Sequence, residues 1–169
     1  MKTTGYTLRE AIKQAELRRD TAANAFNGSL KKFPDEEKET PQSIVDTFTK
    51  AEKALVSLQV AQMRYNLAIQ VEVNGEKMSL AEAIKRVGGA GRIEKMWKGA
   101  IAEPTKRGYM EDIDERDTTK IRAVRTIPAA EAMKLATTSG KKSGSLRAAI
   151  SVANGKEVEL EGLDPALFE

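Results

Sequence analysis

The chain has 169 residues, enough for one ordinary domain whose core needs neither a disulfide nor a metal. Hydrophobic residues make up 40% and charged residues 31%, which excludes a disordered chain and points to a charge-rich helical one. The 28 basic and 25 acidic residues leave a net charge of +3, too small to argue for nucleic acid, and the absence of Cys and His removes thiolate chemistry and the usual proton shuttle near neutral pH.

With only 5% aromatic residues, the core must be built from Ala, Leu, Ile, Val and Met. Met1 to Tyr6 lacks the basic-then-apolar pattern of a secretory signal, and no apolar run reaches the roughly 20 residues that span a bilayer. A cytoplasmic location and no membrane partner are therefore expected, or host cytoplasm and virion for a phage-encoded chain.

One short pattern recurs. Thr7 to Lys13 reads T-L-R-E-A-I-K, Ser79 to Lys85 reads S-L-A-E-A-I-K, and Ser145 to Ser151 reads S-L-R-A-A-I-S. The first two copies carry a capping box, in which a hydroxyl accepts from a first-turn N–H and a Glu three residues later bonds back. Each predicts a helix start.

Helix 1 is predicted from a Thr7 cap to about Lys32, with Leu8, Ile12, Ala15, Ala22, Phe26 and Leu30 as its apolar stripe. The polar stretch Phe33 to Thr40 connects it to a second helix that opens with a Thr40 cap and Pro41 and runs to about Val71. Phe48, Ala51, Leu55, Leu58, Gln62, Tyr65 and Ile69 alternate steps of three and four, a heptad seam with one polar position. The short loop makes helices 1 and 2 an antiparallel hairpin. Neither stripe is fully covered by one partner, so the C-terminal half or a second subunit must cover the rest.

Val71 to Leu80 has two readings. Asn74-Gly75 between alternating apolar residues signals a β-hairpin. The favoured alternative ends the helix at Asn74-Gly75 and starts helix 3 at once from Ser79. Helix 3 carries Ile84, Val87, Ile93, Met96, Trp97, Ala100 and Ile101, with a break, kink or close packing expected at Gly88-Gly89-Ala90-Gly91, and Pro104 ends it. Thr105 to Thr118 reads as a long exposed loop and Thr119 to Ile127 as a short strand or arm. Pro128 then opens a helix to about Ala136, Thr137 to Gly144 form a loop, and Ser145 starts a last short helix. Val152 to Leu160 suggests a small hairpin or edge strand. The tail places Leu163, Leu167 and Phe168 as an apolar latch on this chain or another.

Four features invite chemistry. The glycines at 88 to 91 meet neither the dinucleotide fingerprint nor the P-loop pattern. The acidic cluster Glu111, Asp112, Asp114, Glu115 and Asp117 has Arg116 at a ligand position and lacks the turn Gly of a calcium loop, so it reads as a solvated loop and no metal site is expected. Tyr65 and Trp97 read as core, whereas Tyr109 in K-R-G-Y-M reads as exposed and able to stack on a planar ligand. The basic segment is the strongest signal. From Glu115 to Ile150 there are eight basic residues against three acidic ones.

Within that segment the third copy of the pattern has Ala148 in place of the capping Glu, with Gly140-Lys141-Lys142-Ser143-Gly144-Ser145 leading into the expected helix start. Orphan N–H groups and a positive dipole end there would cradle an anion. The candidate ligand-binding residues are Lys120, Arg122, Arg125, Lys141, Lys142, Ser143, Ser145, Arg147 and Tyr109.

An Asn late in a long helix at Asn66, then Gly75, then Ser79-Leu80-x-Glu82-Ala83-Ile84 resembles a family of small bacterial helical proteins called septicolysin-like. The resemblance covers about the first hundred residues and implies a helical hairpin that oligomerises. It brings no catalytic residues with it.

The chain is thus expected to be mainly all-α: residues 1–103 form the hairpin and third helix, and residues 104–169 the basic arm, short helices and apolar tail, with a short strand or hairpin. The expected function is a non-enzymatic homo-oligomer that binds an anionic, phosphorylated or nucleotide-like small molecule, without cofactor. Nucleic acid is not favoured. The second expectation is a structural or assembly protein such as a bacteriophage virion component.

Overall fold

The computed structural model describes residues 1–102 and 126–168, and it is mainly α-helical. The chain divides into two compact units, Met1–Glu82 with Ala149–Glu169, and Ala83–Ala148.

The first unit is built on a helical hairpin. Helix α1 spans Gly5–Ser29 and α2 spans Pro41–Ala68. The α1 cap is Thr4, not Thr7: the Thr4 hydroxyl accepts from the Thr7 N–H at 3.1 Å, so the expected capping box lies inside the helix. Thr4 has the extended backbone a cap requires, and Gly5 follows where the chain is too crowded for a side chain. The α2 start is as expected, with the Thr40 hydroxyl accepting from Ser43 N–H at 3.1 Å and Pro41 in the first turn.

Between the two helices Leu8, Ala11, Ala15 and Ala22 pack with Ile44, Ala51, Leu55, Leu58, Ala61 and Tyr65. Small residues dominate the α1 side. Phe48 and Gln62 on the expected seam are half-buried, and Leu30 is exposed. An ion pair between Arg19 and Glu52 at 3.5 Å crosses the hairpin and reports its register.

Helix α2 stops at Ala68 because Ile69 turns extended, its N–H still bonded to the Tyr65 carbonyl. Strands β1 (Lys2–Thr3), β2 (Gln70–Val73) and β3 (Glu76–Ser79) follow the numbering of the chain, and β2 and β3 form an antiparallel hairpin with Val71 opposite Met78. Asn74 (φ 55°) and Gly75 (φ 82°) make the two-residue turn, both in the left-handed region that Asn and Gly tolerate. The favoured helix end at Asn74-Gly75 is therefore corrected. The capped start survives: the Ser79 hydroxyl accepts from Glu82 N–H at 3.2 Å, and helix α3 (Leu80–Ala102) begins directly after β3. Alternation buries Val71, Val73 and Met78 while Glu72 and Lys77 stay in solvent.

The C-terminal part of this unit closes on the N-terminus. Helix α4 (Ala129–Asn154) ends at Gly155, and β4 (Val158–Glu159) pairs antiparallel with β1. The expected edge strand at Val152 to Leu160 is thus two residues long, and its partner is the other chain end. The Met1 ammonium donates to the Leu160 carbonyl at 3.0 Å, and Leu160 N–H donates to the Met1 carbonyl at 2.9 Å. A single turn of 3₁₀ helix at Pro165–Phe168 follows.

The second unit corrects two expected breaks. Helix α3 runs unbroken through Gly88-Gly89-Ala90-Gly91, with Ala90 buried and, among the described residues, no atom within 4 Å of where a Cβ would lie at Gly89 or Gly91. No break in the helix occurs there, and no described element packs closely on Gly89 or Gly91. Helix α4 likewise runs through Thr137 to Gly144, the stretch expected to be a loop. Its Ala132, Ala136, Ser143 and Leu146 are buried at steps of four, seven and three, one continuous face. Helix propensity costs of about 1 kcal/mol per Gly do not outweigh that shared face. Gly140 meets α3, where an added Cβ would lie 3.2 Å from Glu94 Oε1. The expected loop Thr105 to Thr118, the acidic cluster Glu111 to Asp117 and most of the Thr119 to Ile127 arm lie outside the described residues.

A candidate ligand groove on the helical hairpin

The predicted anion cradle does not form as a helix terminus. Lys141, Lys142, Ser143, Ser145 and Arg147 all lie within α4, so their backbone N–H groups belong to the helix ladder and no dipole end is present. At about 100° per residue, Lys141 and Ser145 share an exposed face, whereas Arg147 points well away from both. Ser143 faces inward, 2% exposed, with a buried hydroxyl that has no hydrogen-bond partner among the described residues. Tyr109, Lys120, Arg122 and Arg125 lie outside the described residues.

A concave site is found instead in the first unit, on the hairpin. A groove of about 470 Å³ runs between α1 and α2. Its floor is Ala11 and Ala15 from α1 with Ala51 and Ala54 from α2, and the tail closes one wall with Ala166, Leu167 and Phe168. The groove lies over these alanines, which are themselves mostly buried: Ala11, Ala15 and Ala51 are 9%, 5% and 6% exposed. Around the rim stand Thr7, Glu10, Gln14 and Arg18 on α1, and Thr47 and Lys50 on α2.

Helical spacing puts these rim residues in line. Thr7, Glu10, Gln14 and Arg18 are three or four apart, and so are Thr47, Lys50 and Ala54. Gln14 Nε2 donates to Glu10 Oε1 at 2.9 Å, which ties two rim side chains together. Lys50 has neither an ion pair nor a hydrogen bond among the described residues. The groove combines a narrow alanine floor with a solvent-exposed polar rim. Among the described residues no cluster of carboxylates could hold a metal ion.

The apolar tail docks on its own chain, one of the two outcomes expected for it. Leu167 and Phe168 are half-buried at the groove, while Leu163 does not line it. The rim residues of α1 escape sequence reading because their polar run resembles any solvated helix face. The available signal is the small-residue pairs Ala11/Ala15 and Ala51/Ala54 at helical spacing, which leave space wherever two helices meet.

Beside the groove, a hydrogen-bonded knot holds the chain ends. The fully buried Tyr65 has its hydroxyl 2.7 Å from the carbonyls of both Ala153 and Lys156, so its single proton serves one of them at a time. Burial pushes the Tyr65 phenol above its ordinary value. Gly5 lies against the same ring: a Cβ there would sit 2.8 Å from a Tyr65 ring carbon and overlap Asn154 Oδ1. Tyr6 extends the knot by donating to the Ser151 carbonyl at 3.0 Å. These contacts position the tail segment that borders the groove.

No family model and no curated protein matches the chain. Among solved structures, the chain is similar to a functionally unknown conserved protein from Corynebacterium diphtheriae. The TM-score is 0.70 at 17% sequence identity, covering 94% of this chain and 100% of that one. At this identity the likeness is one of fold alone. Among the described residues no helix is long and apolar enough to cross a membrane.

Proposed function

We propose that the chain is a non-enzymatic binding protein that holds a small anionic molecule in the α1–α2 groove. The observation that carries this reading is the groove itself, about 470 Å³ with an alanine floor and the cations Arg18 and Lys50 on its rim. That volume lies within the range of small-molecule sites. The non-enzymatic part is supported by a lining with Glu10 as its one carboxylate and no His or Cys anywhere in the sequence. The expected anionic class is retained, and its principal site moves from the basic C-terminal segment to the hairpin.

The test is a thermal-shift panel of carboxylates, phosphate esters and nucleotides on the full chain. At a ligand concentration of 100 Kd, stabilisation of about 2.7 kcal/mol is expected for a true ligand. It should weaken in Lys50→Gln and persist in Lys141→Ala/Lys142→Ala. The reverse pattern would return the site to α4, and the absence of any shift across the panel would refute the binding reading.

An assembly role, such as that of a bacteriophage virion component, is the second reading, and a separate observation favours it. Val56, Val60, Met63 and Leu67 lie at steps of four, three and four on α2, and each is at least 42% exposed. Such a stripe fits a helix that packs on a second copy, as the septicolysin-like resemblance also implies. Light scattering at micromolar concentration should then give a mass above 18.5 kDa, reduced to that of the single chain in Met63→Glu/Leu67→Glu. A monomeric wild type contradicts both the oligomer and the assembly role.

A further inference from the structure

The distribution of charge along the groove narrows the ligand, and this step rests on the binding reading above. The Arg19–Glu52 ion pair at 3.5 Å reports the hairpin register, so Arg18 and Lys50, near neighbours of that pair in sequence, lie at the same end. Glu10 lies about 12 Å farther along α1, two helical turns away. Among the lining residues, then, both cations stand at the Lys50 end and the one carboxylate at the Glu10 end, while Asp20 and Glu52 beside the Lys50 end are paired with Arg19.

The space between offers little to a polar body. Its bed is Ala11 and Ala15 with Leu167 and Phe168 as the wall, and the nearest amide, Gln14, spends one of its two N–H donors on Glu10. A nucleobase would need edge-directed partners that this bed lacks. A slender saturated chain needs none.

We propose that the groove binds an acyl anion, its charged head at Lys50 and its alkyl chain along the alanine bed under Leu167 and Phe168. A free carboxylate and an alkyl phosphate share this chemistry. Lys50 reads charge rather than shape, because an ammonium is a compact point charge without the fork geometry of a guanidinium.

Calorimetric titration of the full chain with hexanoate, octanoate, decanoate, decyl phosphate and decanol tests the assignment. Affinity should rise with each added methylene, by up to about fourfold where the methylene is fully buried. Decanoate and decyl phosphate distinguish the two sources of the anion, and at least one should bind more tightly than decanol. Lys50→Gln should weaken the anion about two- to fivefold and leave decanol unchanged. Leu167→Ala should flatten the dependence on chain length while the fold, read by circular dichroism, is unaltered. An affinity independent of chain length, or decanol binding as tightly as both anions, overturns the acyl assignment. If hydrophilic anions such as AMP or citrate bind through Lys50 while the alkyl series does not, the acyl assignment falls and the binding reading stands. If no anion of either kind binds, both fall.

Discussion

Gly5 is where the fold has least tolerance. A side chain there meets Asn154 Oδ1 and the Tyr65 ring together, with the Asn154 Cα 3.2 Å away behind them. Gly5→Ala should destabilise the protein by about 1–3 kcal/mol, despite the better helix propensity of Ala, read as a lower urea midpoint at unchanged slope. No change in midpoint would show that the knot yields without cost. Tyr65 ties the same region through its hydroxyl. Tyr65→Phe should cost about 0.5–1.5 kcal/mol, the worth of one hydrogen bond, because the buried Ala153 carbonyl still accepts from the Lys156 N–H at 3.1 Å.

The pH dependence of Tyr65 has a definite sign. Burial raises its folded pKa above the unfolded value of about 10, so the unfolded chain loses this proton first. The stabilising contribution is complete below about pH 10 and is lost as pH rises through the folded pKa. The stability gap between wild type and Tyr65→Phe should therefore narrow in urea titrations above about pH 10 and stay constant from about pH 6 to 9. A gap that widens with rising pH would contradict the burial of the phenol.

Among the elements, those set by neighbours in sequence are the legible ones. Thr40-Pro41 opens α2 as expected, and the heptad seam through Ala51, Leu55, Leu58 and Tyr65 is buried. The Asn74-Gly75 signal and the Ser79 cap look like rivals in sequence, although a four-residue strand that follows the turn and ends on Ser79 lets both be used. The glycine-rich stretches mislead for a different reason. Propensity sees each Gly locally, whereas the buried face of α4 from Ala132 to Leu146 is a tertiary property. The same reasoning gives a stability test. Among the described residues nothing lies within 4 Å of where a Cβ would go at Gly89 or Gly144, so Gly89→Ala and Gly144→Ala should each raise stability by about 0.5–1 kcal/mol in urea unfolding. A loss in either variant would mean that the helix is interrupted there after all.

At the scale of the molecule, the candidate site is the least legible feature. The groove needs residues 7 to 18, residues 47 to 54 and the last turn at Pro165–Phe168 together, and that proximity depends on β4 pairing with β1 and on the Tyr65 knot. No local pattern encodes it. The basic segment stands out because charge is visible in sequence, but an unbroken α4 supplies no helix terminus to reinforce its lysines.

The site itself can be located by following backbone amide resonances of the isotope-labelled protein as decanoate is added. Shifts should concentrate at Thr7 to Arg18, Thr47 to Ala54 and Ala166 to Phe168, the residues around the groove. Shifts confined to Lys141 to Arg147 on α4, or none at saturating decanoate, would contradict the assignment of the groove as the binding site.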